Sequence, residues 1–409
     1  MKTVVFIETN FSGLDALLYC KTRGYRAVLV TDSFDRFRKW FPASCLYKLD
    51  LADQIVSVND SNDFDEVLTA LKQQVGAVDA LLTFAEIRTQ VAARLCRALG
   101  LRGSNPDAVA IAQDKFRFRQ TLLEKGADTV KCERLDTIGD LPARQDKLNF
   151  PCFLKPLQGH SSIGAVICRE RADIGRIVEE LAGIREDWIS PAFVAEDYLD
   201  GHLVSVEILT TAAGQHQVVG VADRDVIKDS IEIGASFPWH DADRDAAAAM
   251  ACAALDAIGY DFGASHVEII MTDSGPHLVE VNTRVGGSGH SIMLDLSTAR
   301  SIVGDYVDLC LGTLEQRQPL YRFKQGAAWK CFVSPQTGVI RSMPSTEDIK
   351  LRAGVQEVWL HHEVGDELQE LNSNYSWIVQ VMCTGKDQQE AKLNAARAID
   401  FVAAQTVIG

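Results

Sequence analysis

Two alternating segments, His266-Val267-Glu268-Ile269-Ile270-Met271 and His277-Leu278-Val279-Glu280-Val281-Asn282, flank the turn-rich pentapeptide Thr272-Asp273-Ser274-Gly275-Pro276. No other stretch restricts the fold as tightly. Period-two alternation on both sides of a turn predicts an antiparallel hairpin. With the turn centred on Ser274, Glu268 lies opposite Glu280 and His266 opposite Asn282. Alternation puts these four on one face and Val267, Ile269, Val279 and Val281 on the other, apolar one. Two carboxylates about 5 Å apart repel each other, so the polar face calls for a cation between them. Oxygen ligands beside nucleotide phosphates suit Mg²⁺. A solvated face with two unrelated acids is the bland alternative, and a one-residue slip would break the pair. Arg284 keeps the same parity and adds a fork donor for phosphate or carboxylate. Val285-Gly286-Gly287-Ser288-Gly289 then lets a backbone approach a ligand closely.

At 409 residues the chain has room for two or three domains. Its net charge of −15 argues against a nucleic-acid partner, which needs clustered Lys and Arg, and fits small ligands. The opening strand meets Glu8 before a signal-peptide core can form. The richest apolar run, Ala246 to Ile258, contains Asp256 and is too short for a bilayer. No membrane association is therefore expected. Ten scattered cysteines, without C-x-x-C or zinc spacing, read as buried, reduced thiols of a cytoplasmic protein.

The N-terminal third alternates strands (3–8, 27–31, 54–58, 78–84) with helices (14–23, 64–74, 86–99), which implies a parallel sheet covered on both faces. Ligands sit at the carboxyl ends of such strands. Glu8 and Glu86 lie there, either facing a substrate amine or serving as caps and loop acids. The first turn lacks G-x-G-x-x-G, so nothing favours a dinucleotide. Asn105-Pro106 starts one helix, and Asp114 caps another, Lys115 to Lys125.

In the middle, strands 150–155 and 164–168 enclose Pro156-Leu157-Gln158-Gly159-His160-Ser161-Ser162-Ile163. Backbone amides and hydroxyls there can wrap phosphate oxygens, with Lys155 at the loop's entrance. It is not a P-loop, and a plain hairpin tip is the competing reading. Phe193 to Leu199, followed by Asp200-Gly201, reads as a strand end or as a hinge whose backbone and Glu196 meet an adenine.

Together these pieces resemble the ATP-grasp superfamily over most of the chain. HVEII…LVEVNTRVGG is similar to its metal-binding signature, FLKPLQGHSSIG to its lysine and flexible phosphate loop, AEDYLDG to its adenine hinge, and AQDKF to its first nucleotide lysine. Within the superfamily the chain most resembles the L-amino-acid ligases that form dipeptides. The resemblance implies an α/β ATP-grasp fold: a Rossmann-like N-terminal domain (1–114), a central α+β lid subdomain (115–205) and a C-terminal α+β catalytic domain (206–409). It implies that Lys115 and Lys155 contact ATP phosphates and that Gly159, His160, Ser161 and Ser162 close over them. Glu196, Asp197, Tyr198 and Leu199 would hold adenine. Glu268, Glu280 and Asn282 would bind two magnesium ions, for which manganese could substitute. Lys155 and Arg284 would serve catalysis, Arg284 also meeting substrate beside Gly286 and Gly287. Leu203 stands where many members carry an acid, which leaves Glu207 for the ribose. Ala235 stands where dipeptide ligases often carry His, which leaves Glu232, Trp239 and His240 as pocket candidates.

From 327 onward the strands and the helix 388–404 read as a small α/β lid, with His361 and His362 in a solvated polar loop. The function implied is ATP-dependent joining of a carboxylate to an amine through an acyl-phosphate, giving an amide or dipeptide, ADP and phosphate. Small-molecule acid and amine substrates and a homodimer follow from the same resemblance. Competing readings are a carboxylase-type enzyme activating bicarbonate, an adenylating ligase releasing AMP, and a non-catalytic ATP-binding module.

Overall fold

The computed structural model describes residues 1–159, 161–184, 189–228, 230–315 and 321–409. The run Thr3–Ile7 is buried throughout, between Arg26–Thr31 and Ala80–Leu82, with Gln54–Ser57 at the edge, and every pairing is parallel. A strand covered on both faces has no polar side to present, which is why it reads as an unbroken apolar run. The last strand is shorter than its sequence suggests. Thr83 Oγ1 donates to Ile7 O and Asn10 Nδ2 donates to Phe84 O, which ends the ladder and carries Glu86 out towards a cleft.

Asn105 and Asp114 cap their helices by accepting from the amides of Asp107 and Arg117, as their sequence positions require. Next comes a four-stranded antiparallel sheet. Its spatial order is Cys132–Leu135, Phe193–Asp197, Cys152–Pro156 and Val166–Cys168. The helix Ile174–Leu181 packs Ile174, Ile177 and Leu181 into its core.

The largest element is an eight-stranded antiparallel sheet. It runs from Gly275–Asn282 through Gly263–Thr272, His202–Ala212, Gln215–Ile227, Ile231–Phe237, Gly326–Phe332 and Val379–Gly385 to Val355–Leu360. The C-terminal stretch joins this sheet. Its strands continue the sheet that carries the acidic hairpin, because Gly326–Phe332 pairs directly with Ile231–Phe237. Two alanine-faced helices cover this sheet. Arg244–Ile258 buries Ala247, Ala251 and Ala254, and Gln388–Gln405 buries Ala391, Ala395 and Ala398. Spacings of three and four put each set on one stripe, and the small side chains let the helices lie close. A bulkier residue at fully buried Ala251 would overpack this contact at a cost of about 1–3 kcal/mol. No described helix is long and apolar enough to cross a membrane. Of the ten cysteines nine are buried, Cys252 is half-buried, and none is in a disulfide.

Candidate active site

In the acidic hairpin His266 stands opposite Asn282, Val267 opposite Val281, and Glu268 opposite Glu280. The register then slips by one, so that Ile269 pairs with Leu278 and Thr272 with Gly275. The reversal is thus the two residues Asp273-Ser274, not a turn centred on Ser274, and Val279 bulges out of the ladder. This corrects the expected apolar face: Leu278 takes the core position, fully buried, and Val279 lines the cleft instead. The bulge has its own partners. Val279 O accepts from Lys155 Nζ and Arg119 Nη2, both at 3.3 Å, and Leu278 N donates to Asp128 Oδ2 at 3.0 Å.

The hairpin forms one wall of a cleft of about 1050 Å³ lined by residues from the parallel sheet's end, the four-stranded antiparallel sheet and the eight-stranded sheet. Lys115 Nζ lies 4.0 Å from Glu280 Oε2 and donates to Gly159 O at 3.3 Å. Lys155, 6% exposed, pairs with Glu196 at 2.9 Å. Arg119 grips the same carboxylate bidentately, with both contacts at 3.0 Å. Burial alone would push Glu196 up, but Arg119 and Lys155 outweigh it and hold the acid at about 2. Burial pushes the Lys155 ammonium down, and Glu196 offsets this only in part.

The two ladder acids differ. Burial raises Glu268, yet Arg224 and His266 pull it well below the usual carboxylate range. Glu280 is pushed up, first by burial and then by the charge of Glu268. Asn282 Nδ2 donates to Glu280 Oε1 at 2.9 Å, and its Oδ1 accepts from Arg284 Nη2 at 3.3 Å. Two facing carboxylates and an amide oxygen, one acid already driven towards protonation, are a donor set that fits a hard divalent ion.

The structure sorts the remaining sequence candidates. Gly159, Ser161 and Ser162 line the cleft, while His160 lies outside the described residues. Ser162 Oγ donates to Ser230 O at 2.8 Å and Asn374 N donates to Ser161 O at 3.4 Å, so the loop is docked down across the opening. Asp197, Tyr198 and Leu199 line the cleft beside Leu203. The Glu196 carboxylate is engaged by Arg119 and Lys155 rather than turned to an adenine. Gly201 follows, where a Cβ would sit 2.2 Å from Met271 O, so only glycine lets the hinge pass this close.

Four expectations are corrected. Glu207 is 1% exposed, bonds to His266 Nδ1 and does not reach the cleft, so it is not a ribose contact. Trp239 does not line the cleft and packs its ring, tilted, 6.0 Å from that of His202, and His240 does not line it either. Gly286 sits behind the wall, where a Cβ would meet Glu207 Oε2 and His266 Nδ1 at 3.0 Å; only Gly287 faces in. His361 and His362 are not a solvated loop: both line the cleft, and His361 Nε2 lies 3.2 Å from Gln380 Oε1.

Two residues were missed, and one was named without its partner. Glu86, weighed as an acid facing a substrate amine or as a cap or loop acid, reaches Arg284 Nη2 at 2.5 Å. Arg119 lies one helical turn after Lys115, a spacing that places both on one face and could have flagged it. Arg224, 3% exposed, is ion-paired with Glu232, which lines the cleft, and lies 3.4 Å from Glu268 Oε1. The Asp223-Arg224-Asp225 triplet carries no pattern that marks it.

Comparison with known proteins agrees with this architecture. Residues 148–292 match the ATP-grasp domain model, and residues 330–407 match L-amino acid ligase C-terminal domain 2. An alanine–anticapsin ligase of Bacillus amyloliquefaciens is 29% identical over 234 residues, covering 52% of this chain and 49% of the relative. The chain thus spans about half the length of that relative. A dapdiamide A synthase of Enterobacter agglomerans is 24% identical over 338 residues, 76% of each chain. The crystal structure of an L-amino acid ligase from Bacillus licheniformis superposes with a TM-score of 0.81 at 19% identity, over 98% of this chain and 97% of that one, which establishes the fold. The chain thus carries an ATP-grasp domain over residues 148–292, which includes the hairpin of facing acids, and an L-amino acid ligase C-terminal domain 2 over residues 330–407.

Proposed function

We propose that this protein is an ADP-forming ligase that joins the carboxylate of one amino acid to the amine of another through an acyl-phosphate. The observation that carries the reading is the register pairing of Glu268 with Glu280 at a cleft that also holds Lys115, Lys155 and Arg284. In this reading Lys115, Lys155, Ser161 and Ser162 bind the triphosphate, and the backbone of Asp197 to Leu199 receives the adenine. Glu268, Glu280 and Asn282 hold magnesium. A bound divalent ion supplies charge neutralisation for the transferring phosphoryl group.

A carboxylate is a poor electrophile, and transfer of the γ-phosphoryl group gives it a leaving group. Negative charge then develops on the acyl-phosphate and on the tetrahedral centre formed by amine attack. In this reading Arg284, held between Glu86 and Asn282, stabilises both. Glu232 and Gly287, both of which line the cleft, meet the substrate in the same reading. The docked loop around Ser162 excludes water, which would otherwise hydrolyse the intermediate.

The test is product analysis with ATP and Mg²⁺ over a panel of amino-acid pairs. ADP, phosphate and a ligated product are expected. AMP and pyrophosphate would establish an adenylating ligase instead. ADP release that needs bicarbonate and no amino acid would establish a carboxylase. Nucleotide binding without turnover would establish a non-catalytic module.

A further inference from the structure

The cleft is lined by more than the residues proposed to hold nucleotide and metal. Besides these, its lining takes in residues that follow the N-terminal strands and residues of the C-terminal part of the great sheet, two regions that meet where Phe11 packs on Trp359. This end is walled by rings: Phe11 meets Trp359 edge-on at 5.1 Å, Phe37 stacks on Phe41 at 5.5 Å, and Trp377 lies 5.6 Å from His361. Phe11, Phe37, Phe41 and Trp377 all line the cavity.

Charged side chains also border this end, but they are occupied with one another. Glu8 accepts from Thr31 Oγ1 at 2.9 Å, from Asp32 N at 2.8 Å and from Arg36 Nη2 at 2.8 Å. Arg36 gives its other nitrogen to Asp32 at 2.9 Å. Arg88 donates to Ser61 Oγ at 2.6 Å and to Asp32 at 2.8 Å. Glu86 is held by Arg284. Lys39 stands on the exposed rim. Burial pushes His361 down to about 4, so its ring is neutral near pH 7 and bonds to Gln380.

Resting on the ligase reading, we infer that this end of the cleft is a side-chain pocket for an uncharged, apolar or aromatic amino acid. A charged side chain placed among these rings would lose its water and find its counter-charges already engaged. An apolar one needs only the area that Phe11, Phe41 and Trp377 offer.

The experiment measures kcat/KM for ADP release by the full-length protein. Leu, Met and Phe are compared with Asp, Glu, Lys and Arg, each against one common partner amino acid. The apolar set is expected to be favoured at least tenfold. Phe11→Asp, on a half-buried turn, and His361→Glu each set a carboxylate in the wall. At least one of them, shown to fold by its melting curve, is expected to move the Lys-to-Leu ratio at least tenfold towards Lys. Equal or better turnover of charged amino acids by the wild type, or an unmoved ratio in both variants, overturns the pocket while leaving a ligase. Absence of ADP with every pair overturns the ligase reading and the pocket with it.

Discussion

Glu280 faces Glu268 across a hairpin closed by only two residues because Val279 is bulged out between them. A two-residue turn alone would shift the register by one and send one acid to the core face. The extra residue restores the pairing, and its carbonyl becomes the common acceptor of Lys155 and Arg119. Lys155, the proposed phosphate-side cation, and Glu280, the proposed metal-side acid, are thus tied to one irregularity of the backbone.

Replacing Glu280 by Gln keeps the shape and removes the second ladder charge. Loss of a metal clamp costs several kcal/mol of transition-state stabilisation, so ADP release is expected to fall at least ~100-fold. Without metal the effect on stability has the opposite sign. Burial and Glu268 both push Glu280 up, so E280Q is expected to melt no lower than wild type in EDTA. Steady-state kinetics and metal-free melting check the two halves. A variant that keeps its activity would remove Glu280 from the metal site.

Arg119 is expected to act through its neighbours. It positions Glu196, and so Lys155, and supports the bulge that sets Glu280. Arg119 Nη1 also donates to Asp128 Oδ2 at 3.3 Å, so Arg119→Met leaves Glu196 with Lys155 alone, strips Asp128 of its arginine, and is expected to cost about 3–5 kcal/mol of stability. Arg119→Lys keeps the charge but not the fork. It is expected to fold and to raise both KM for ATP and the Mg²⁺ concentration for half-maximal turnover, by roughly tenfold if about 1.4 kcal/mol of alignment is lost. A purely structural role would lower the melting temperature and leave both constants where they were.

The hairpin was legible because two periodicities, the turn residues and paired acids agreed over 17 residues of sequence from His266 to Asn282. Helix caps such as Asn105 and Asp114 were legible because their chemistry is local. What failed was long-range. Nothing within 17 residues says that the two-residue turn will be compensated at Val279, or that Leu278 rather than Val279 enters the core. Glu207 looked free for a ribose because its partner, His266, is 59 positions away. His361 sits in a polar stretch, and only the sheet that brings in Gln380 and Trp377 turns it towards the cleft.

Glu86 and Arg284 come from different layers and meet at 2.5 Å. Glu86→Gln removes the charge that holds the guanidinium in place. The arginine stays charged but gains freedom to turn, so alignment at the acyl-phosphate is lost rather than nucleotide binding. A fall in kcat/KM for the amino acid of roughly 10- to 100-fold, about 1.4–2.8 kcal/mol, is expected with KM for ATP unchanged. Initial rates with either substrate varied separate the two constants, and a matching rise in KM for ATP would instead place Glu86 on the nucleotide.

Asp295 sets a pH dependence unconnected with the ladder. It accepts from Ile302 N at 3.1 Å, and burial pushes it up to about 8. In the unfolded chain an aspartate titrates near ~3.9, so between these values the folded protein holds a proton that the unfolded chain has released. The contribution to stability is complete below ~4 and is lost as pH rises through about 8. Asp295→Asn keeps an acceptor for Ile302 and cannot ionise. Relative to wild type, D295N is expected to gain up to about 3 kcal/mol between pH 5.5 and 8. Denaturant unfolding of both proteins at these two pH values measures the gain. If the two stabilities run parallel, the acid titrates normally in the folded protein.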